Sequence, residues 1–175
     1  MRRARAGRAL VTRVARVDDG GGDVSAVEAI ARDCFAESTF SVAEELARPW
    51  ARLWAARPDE ESAPAGFLVA WHVADELHVL NVAVAPPLRR RGLARALMDE
   101  ALAYAASERV RIVLLEVRRS NRPAIKLYRG FAFTALGVRR GYYADNDEDA
   151  IEMILALDPS SGRVLPGHDE IRIDG

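Results

Sequence analysis

The stretch Leu80–Ala103, LNVAVAPPLRRRGLARALMDEALA, constrains the fold more than any other part of the chain. Leu80–Val84 is a short apolar run rich in valine and reads as a buried strand. Pro86 and Pro87 have no N–H to give to a ladder, so the strand must end before them. From Arg90 onward Leu93, Leu97, Ala101 and Tyr104 recur at spacings of three and four, which predicts an amphipathic helix. Between strand and helix lies Arg89-Arg90-Arg91-Gly92-Leu93-Ala94, an R-x-x-G-x-A turn. The first turn of a helix carries backbone N–H groups without intrahelical acceptors at the positive end of the dipole, a setting that suits a phosphate. Gly92 and Ala94 are small enough for an anion to approach the backbone. Arg89, Arg90, Arg91 and Arg95 add charge and forked donors. An ordinary helix start with exposed arginines accounts for the same letters. The turn is not a Walker loop, because no Lys-Ser/Thr pair follows Gly92. It is not a dinucleotide fingerprint either, since the third glycine and the acidic residue about 20 positions on are not in place.

The next apolar segment, Arg111–Val117, predicts a buried central strand. Strand, helix and strand from Leu80 to Val117 then form a right-handed crossover with parallel strands. Around this unit the pattern predicts strands at Ala9–Val17, Trp50–Arg57, Gly66–Val73, Leu77–Val84, Phe131–Arg139 and Ala150–Leu157, with a hairpin at Asp75-Glu76. Asp23 or Ser25 caps a helix carrying Val27, Ile30, Ala31 and Cys34, and Gly20–Gly22 is a connector before it. Phe35–Phe40 is a break, after which Ser41 and Glu44 form a capping box for a short helix, Val42–Ala47. Ser120 or Asn121 caps a further helix with Pro123 in its first turn and Gly130 at its end. The class is α/β. The 175 residues make one domain, read as a basic arm at 1–8, the domain proper at 9–157 and a loosely packed polar tail at 158–175.

A net charge of −1 argues against bulk attraction to nucleic acid. No apolar run is long enough for a transmembrane helix, and the basic start lacks a signal core. Cys34 is the only cysteine, which excludes an internal disulfide and fits a reducing, cytoplasmic setting; its apolar context reads as a buried structural thiol. His72, His78 and His168 have no metal-ligand spacing, so no metal is expected.

Glu116 is the most informative single residue. A carboxylate near the end of the most apolar strand needs a partner or a raised pKa, and a raised pKa suits a general base. The alternative is a salt bridge to Arg118 or Arg139. Tyr128, one turn before its helix ends, is either a proton donor or a core tyrosine with one satisfied hydrogen bond. The acidic cluster Asp145, Asp147, Glu148 and Asp149 is either an attractor for a basic peptide or a solvated turn.

The strand, the short turn and the R-x-x-G-x-A helix start resemble the pyrophosphate loop of the GNAT superfamily, the GCN5-related N-acetyltransferases. The segment EVRRSNRPAIKLYRGFAF resembles that superfamily's ribosomal-protein-alanine (RimI-type) branch, whose pattern is L-E-V-R-x-S-N-x-x-A-x-x-L-Y. Val138-Arg139-Arg140-Gly141-Tyr142-Tyr143 resembles the branch's R-R-x-Y-Y element, and the resemblance spans about Gly66–Leu157. Two departures stand out. Cys34–Thr39 lacks the branch's Pro-Trp-Ser element, and Phe131-Ala132-Phe133 replaces Leu-Gly-Phe.

The resemblance implies a mostly antiparallel mixed sheet with a splayed parallel pair around the cofactor and helices on both faces. It implies acetyl-CoA bound by the backbone of Val82, Ala83 and Val84, by Arg89, Arg90, Arg91, Gly92, Leu93, Ala94 and Arg95, and by Asn121 and Tyr128. Glu116 takes the place of the base and Tyr128 that of the acid. Tyr142, Tyr143 and Asp145 would border the acceptor. The implied acceptor is a protein N-terminal α-amine, that of a small-subunit ribosomal protein starting with alanine. The other readings are a small-molecule amine acetyltransferase and a non-catalytic acyl-CoA sensor. Oligomeric state is not legible.

Overall fold

The structure is a computed structural model that describes residues 12–18, 23–35 and 40–173. The expected basic arm, the glycine connector at 20–22, most of the break at 36–39 and the start of the first strand lie outside the described residues. In chain order the elements are β1 (Arg13–Arg16), α1 (Val24–Cys34), α2 (Val42–Leu46), β2 (Ala51–Arg57), β3 (Gly66–Val73) and β4 (Glu76–Val84). They continue as α3 (Leu93–Ser107), β5 (Ile112–Arg118), α4 (Arg122–Arg129), β6 (Thr134–Tyr143) and β7 (Glu148–Ala156). One seven-stranded sheet runs β1-β2-β3-β4-β5-β7-β6. Only β4 and β5 pair in parallel, across the α3 crossover; every other neighbour is antiparallel.

Alternation along the strands divides the core in two. Trp54, Leu68, Leu77, Val113, Leu115, Ile151 and Met153 face α3 and α4, where they meet Leu93, Leu97, Met98, Ile125 and Tyr128. Leu53, Ala55, Phe67 and Val69 face the other way, onto Val27, Ile30 and Ala31 of α1 and Val42 of α2. This second layer draws on β2, β3 and β4. On β5 the residues that alternate with the core, Ile112, Leu114, Glu116 and Arg118, are all partly exposed. No helix among the described residues is long and apolar enough to cross a membrane.

Several expectations are corrected. The organising helix begins at Leu93, not Arg90, because Arg90 (φ +63°) and Gly92 (φ +86°) are left-handed and Pro86–Leu88 form a separate 3₁₀ turn. β6 runs on to Tyr143, through part of the segment expected to be a loop. The polar tail is not loose. Arg129 grips Asp169 through two bonds of 2.5 and 2.7 Å, and the Ala135 N–H donates to Asp169 Oδ1 (2.8 Å). The Glu170 N–H donates to the Ala135 carbonyl (2.8 Å), so residues 169–170 cap the free edge of β6 at Ala135, whose backbone groups would otherwise be unpaired.

Gly130 ends α4 as expected, as its C-cap, but its φ of −64° is right-handed. The left-handed residue is Ala132 (φ +68°). Phe133 N–H donates to the Tyr128 carbonyl (3.1 Å) and Ala132 N–H to that of Arg129 (2.9 Å), the two bonds of a Schellman cap. The Phe133 ring closes on Tyr128 (centroids 5.9 Å), the apolar contact that accompanies such a cap. Alanine thus occupies a glycine position. A left-handed conformation costs an L-residue about 1–2 kcal/mol, partly offset because glycine loses about 0.4–1 kcal/mol more entropy on folding. Ala132→Gly is therefore expected to stabilise the protein by up to about 1 kcal/mol. Urea unfolding checks this as a higher midpoint at unchanged slope.

Candidate active site

β4 and β5 share hydrogen bonds only from Glu76↔Ile112 to Val79↔Leu115. Beyond that point β4 stays on β3 as far as Val84, after a register shift opposite Val69 and Ala70. β5 stays on β7 as far as Arg118. The two strands therefore fork at Leu80 and Glu116. Along the fork, the edge of Val82, Ala83 and Val84 that faces away from β3 has no strand partner among the described residues. It can accept an extended ligand as an added strand.

The arginine turn closes one end of this fork. Arg89 folds back, its Nε donating to the Val84 carbonyl (3.0 Å), while Cys34 Sγ lies 3.6 Å from the same oxygen and 3.7 Å from Arg89 Nη2. Arg89 thus fastens the end of β4, and Cys34 is half-buried beside a guanidinium rather than sealed in the core. Arg95 stacks over Phe131 (4.9 Å), tying the start of α3 to the end of α4. The first helical bond is Ala96 N–H to the Gly92 carbonyl (2.9 Å), so the N–H groups of Leu93, Ala94 and Arg95 precede the helical ladder. A Cβ at Gly92 would meet no atom within 4 Å. The space before the turn is open, and it is the positive φ that calls for glycine. Open N–H groups, an open approach and flanking arginines fit a pyrophosphate.

Glu116 opens the other side of the fork. Its side chain is 28% exposed and pairs with Arg139, whose Nη1 donates to Oε1 at 2.8 Å. The expected burial is not there; the salt-bridge alternative is. Arg139 also lies over the Tyr142 ring (4.7 Å) and near Glu152 (3.9 Å). Tyr128 is only 7% exposed, and burial, with Tyr143 nearby, pushes its phenol well above the ordinary range. Tyr143 is pushed up to about 12 by burial against the pull of Arg118, and it lies within electrostatic reach of both Glu116 and Tyr128.

Other expected residues are committed to structure. Asn121 is the N-cap of α4, Oδ1 accepting from Ala124 N–H (3.2 Å), which leaves its amide NH₂ as the group to offer a ligand. Asp145 takes both Arg118 Nη2 bonds at 2.9 Å, and Arg118 lies 3.9 Å over the Tyr143 ring. Glu148 accepts from Ser120 N–H (2.7 Å) and Arg118 Nη1 (3.3 Å); Asp149 accepts from Gly141 N–H (3.0 Å). Asp145 and Glu148 thus share Arg118, and their bonds clamp the β6–β7 hairpin to the start of α4. Two parts of this arrangement were not legible in the sequence. Arg118 serves as a latch, and Glu152 sits directly across from Glu116. Both depend on register, for which one sequence carries no local signal.

Residues 24–133 match the model of the acetyltransferase (GNAT) family. The chain is 37% identical over 93 residues to the putative ribosomal protein bS18-alanine N-acetyltransferase of Bacillus subtilis, covering 53% of this chain and 62% of that one. It is 40% identical over 95 residues to the ribosomal protein bS18-alanine N-acetyltransferase of Escherichia coli, covering 53% and 64%. The match thus spans a little under two thirds of these relatives' length. The crystal structure of the Escherichia coli ribosomal-protein-alanine N-acetyltransferase superposes with a TM-score of 0.74 at 29% identity, over 83% of this chain and 94% of that one.

The hydrogen bonds from Ser120, with those from Asn146 and Arg118, lower the Glu148 pKa to about 2. A depressed carboxylate stabilises the fold above its unfolded pKa, about 4.3, and that contribution is lost as pH falls through the folded value. The stability difference between the wild type and Glu148→Gln is accordingly full at pH 7 and shrinks between about pH 4 and about pH 2. Urea titrations across that range measure it; a difference independent of pH would remove Glu148 from the clamp.

Proposed function

Because the chain belongs to the acetyltransferase (GNAT) family, we propose that it transfers the acetyl group of acetyl-CoA to the N-terminal α-amine of a protein. The acceptor on this reading is the N-terminal alanine of a small-subunit ribosomal protein, and the reaction is cytoplasmic. The observation that carries the proposal is the fork: an anion-binding helix start at one end, an unpaired strand edge along it, and a carboxylate where the strands part. The relatives named for acetylation of ribosomal protein bS18 support the acceptor.

The N–H groups at the start of α3, with Arg90 and Arg91, would hold the pyrophosphate, and the edge of Val82, Ala83 and Val84 would hold the pantetheine arm. A backbone N–H of that edge would polarise the thioester carbonyl. An α-amine has a reference pKa of about 7.7–8.0 against about 10.4 for lysine, so at pH 7 roughly a tenth of it is already neutral. A part-exposed carboxylate then suffices as base. Glu116, directly or through a water, takes the ammonium proton; the nitrogen lone pair attacks the thioester carbon. Collapse of the tetrahedral adduct breaks the C–S bond and the electron pair leaves on sulfur. Tyr128, raised well above a thiol's reference value of about 8.5, holds its proton until the C–S bond breaks and donates a hydrogen bond to the developing thiolate. Its proton then passes to the thiolate, and the second proton that the adduct's nitrogen must lose replaces it on the phenolate.

Turnover is expected on alanine-start peptides and is expected to vanish when the N-terminus is blocked, read as free-thiol release. Glu116→Gln should lower kcat by about 10²–10⁴-fold, and Tyr128→Phe should also lower kcat with little change in acetyl-CoA affinity. Turnover confined to small amines would move the acceptor out of the ribosomal class. Tight acetyl-CoA binding without turnover on any amine would favour a sensor.

A further inference from the structure

The base position raises a difficulty that a neighbouring carboxylate resolves. Glu116 is held by a charge-assisted bond from Arg139 at 2.8 Å, so an acceptor's ammonium and this guanidinium would compete for one carboxylate. Breaking that pair into water would leave the guanidinium without its counter-charge. Glu152 stands directly opposite Glu116 on the antiparallel neighbour β7, and its Oε1 lies 3.9 Å from Arg139 Nε. Like charges directly opposite each other on a sheet repel, so a second glutamate there is a cost that sheet stability alone does not explain. The facing position on β6 is Gly137, where a Cβ would come within 2.8 Å of Glu152 Oε2. The missing side chain leaves room for the Glu152 carboxylate to lie across β6. Arg139 is 49% exposed and stacks on Tyr142, so its guanidinium has room to slide over the ring.

We propose that Glu152 is a positioning residue that takes Arg139 over from Glu116 when the acceptor amine arrives, freeing Glu116 to act as base. The inference rests on the reading of Glu116 as base. In the free protein the guanidinium is shared between two carboxylates and bonded to one. An incoming ammonium supplies the second positive charge, and the four groups re-pair as ammonium with Glu116 and Arg139 with Glu152. Charge is conserved, and no carboxylate is left alone.

The test measures kcat and KM for an alanine-start peptide and for acetyl-CoA in wild type, Glu116→Gln, Glu152→Gln, Glu152→Asp and the double variant Arg139→Gln/Glu152→Gln. Without Glu152, Arg139 has only Glu116 to bind. Glu152→Gln should therefore lower kcat about ten- to hundredfold, the scale of one charge-assisted bond, at unchanged KM for acetyl-CoA. Glu152→Asp should retain part of the rate. Removing Arg139 as well should restore turnover toward wild type, a rescue that a merely structural role for Glu152 would not produce. Wild-type kcat in Glu152→Gln, or a double variant no faster than Glu152→Gln, overturns the inference. If Glu116→Gln is inactive while Glu152→Gln is unaffected, the base stands and Glu152 is excluded. If Glu116→Gln is fully active, both fall.

Discussion

Everything of interest in this molecule depends on two parallel strands that stop pairing. β4 and β5 share a ladder as far as Val79 and Leu115, then separate, each keeping its antiparallel neighbour on the outer side. A backbone edge without a partner is ordinarily a liability inside a sheet. Here it is a place inside the sheet where an extended ligand can complete the hydrogen bonding that the fork leaves open. The proline pair that ends β4, the left-handed turn at Arg90 and Gly92, and the return of Arg89 onto Val84 all hold that edge in place.

The second half of the site is held by a chain of charge-assisted contacts. Glu148 fixes the Ser120 N–H and, with Asp145, fixes Arg118; the start of α4 is thereby fastened to the β6–β7 hairpin. At the other end of α4 the Schellman bonds lock Tyr128 against Phe133. Tyr128 is thus held at a helix end by backbone and by packing, and its burial keeps its proton on. Arg139 crosses from β6 to the two carboxylates of β5 and β7, bonded to one and near the other. The tail then caps the β6 edge at Ala135.

Much of this was legible. The apolar runs of Gly66–Val73 and Arg111–Val117 have the length and composition of strands, and both are strands to within a residue. The periodicity of Leu93, Leu97 and Ala101 places all three in the core. The N-cap half of the capping box at Ser41 is present, with Ser41 Oγ accepting from Glu44 N–H (3.4 Å). The misses share one cause. Arg90 as a helix start, a left-handed turn at Gly130 and a loose tail were read from local preference. In each case a non-local bond or an unusual φ decided otherwise.

What the sequence by itself determined is therefore the order of elements, the α3 crossover, the arginine-glycine turn before α3 and the identity of the acidic and phenolic groups. These follow from spacing within a dozen residues, where helix period, proline and glycine act directly on the backbone. Which charge meets which was settled only by tertiary structure. Glu116 had two arginines within reach along the chain, and strand register gave it Arg139, left Arg118 to Asp145 and Glu148, and set Glu152 alongside. Register is fixed by the whole sheet at once, because a shift of one residue would turn every buried side chain of β5 and β7 outward.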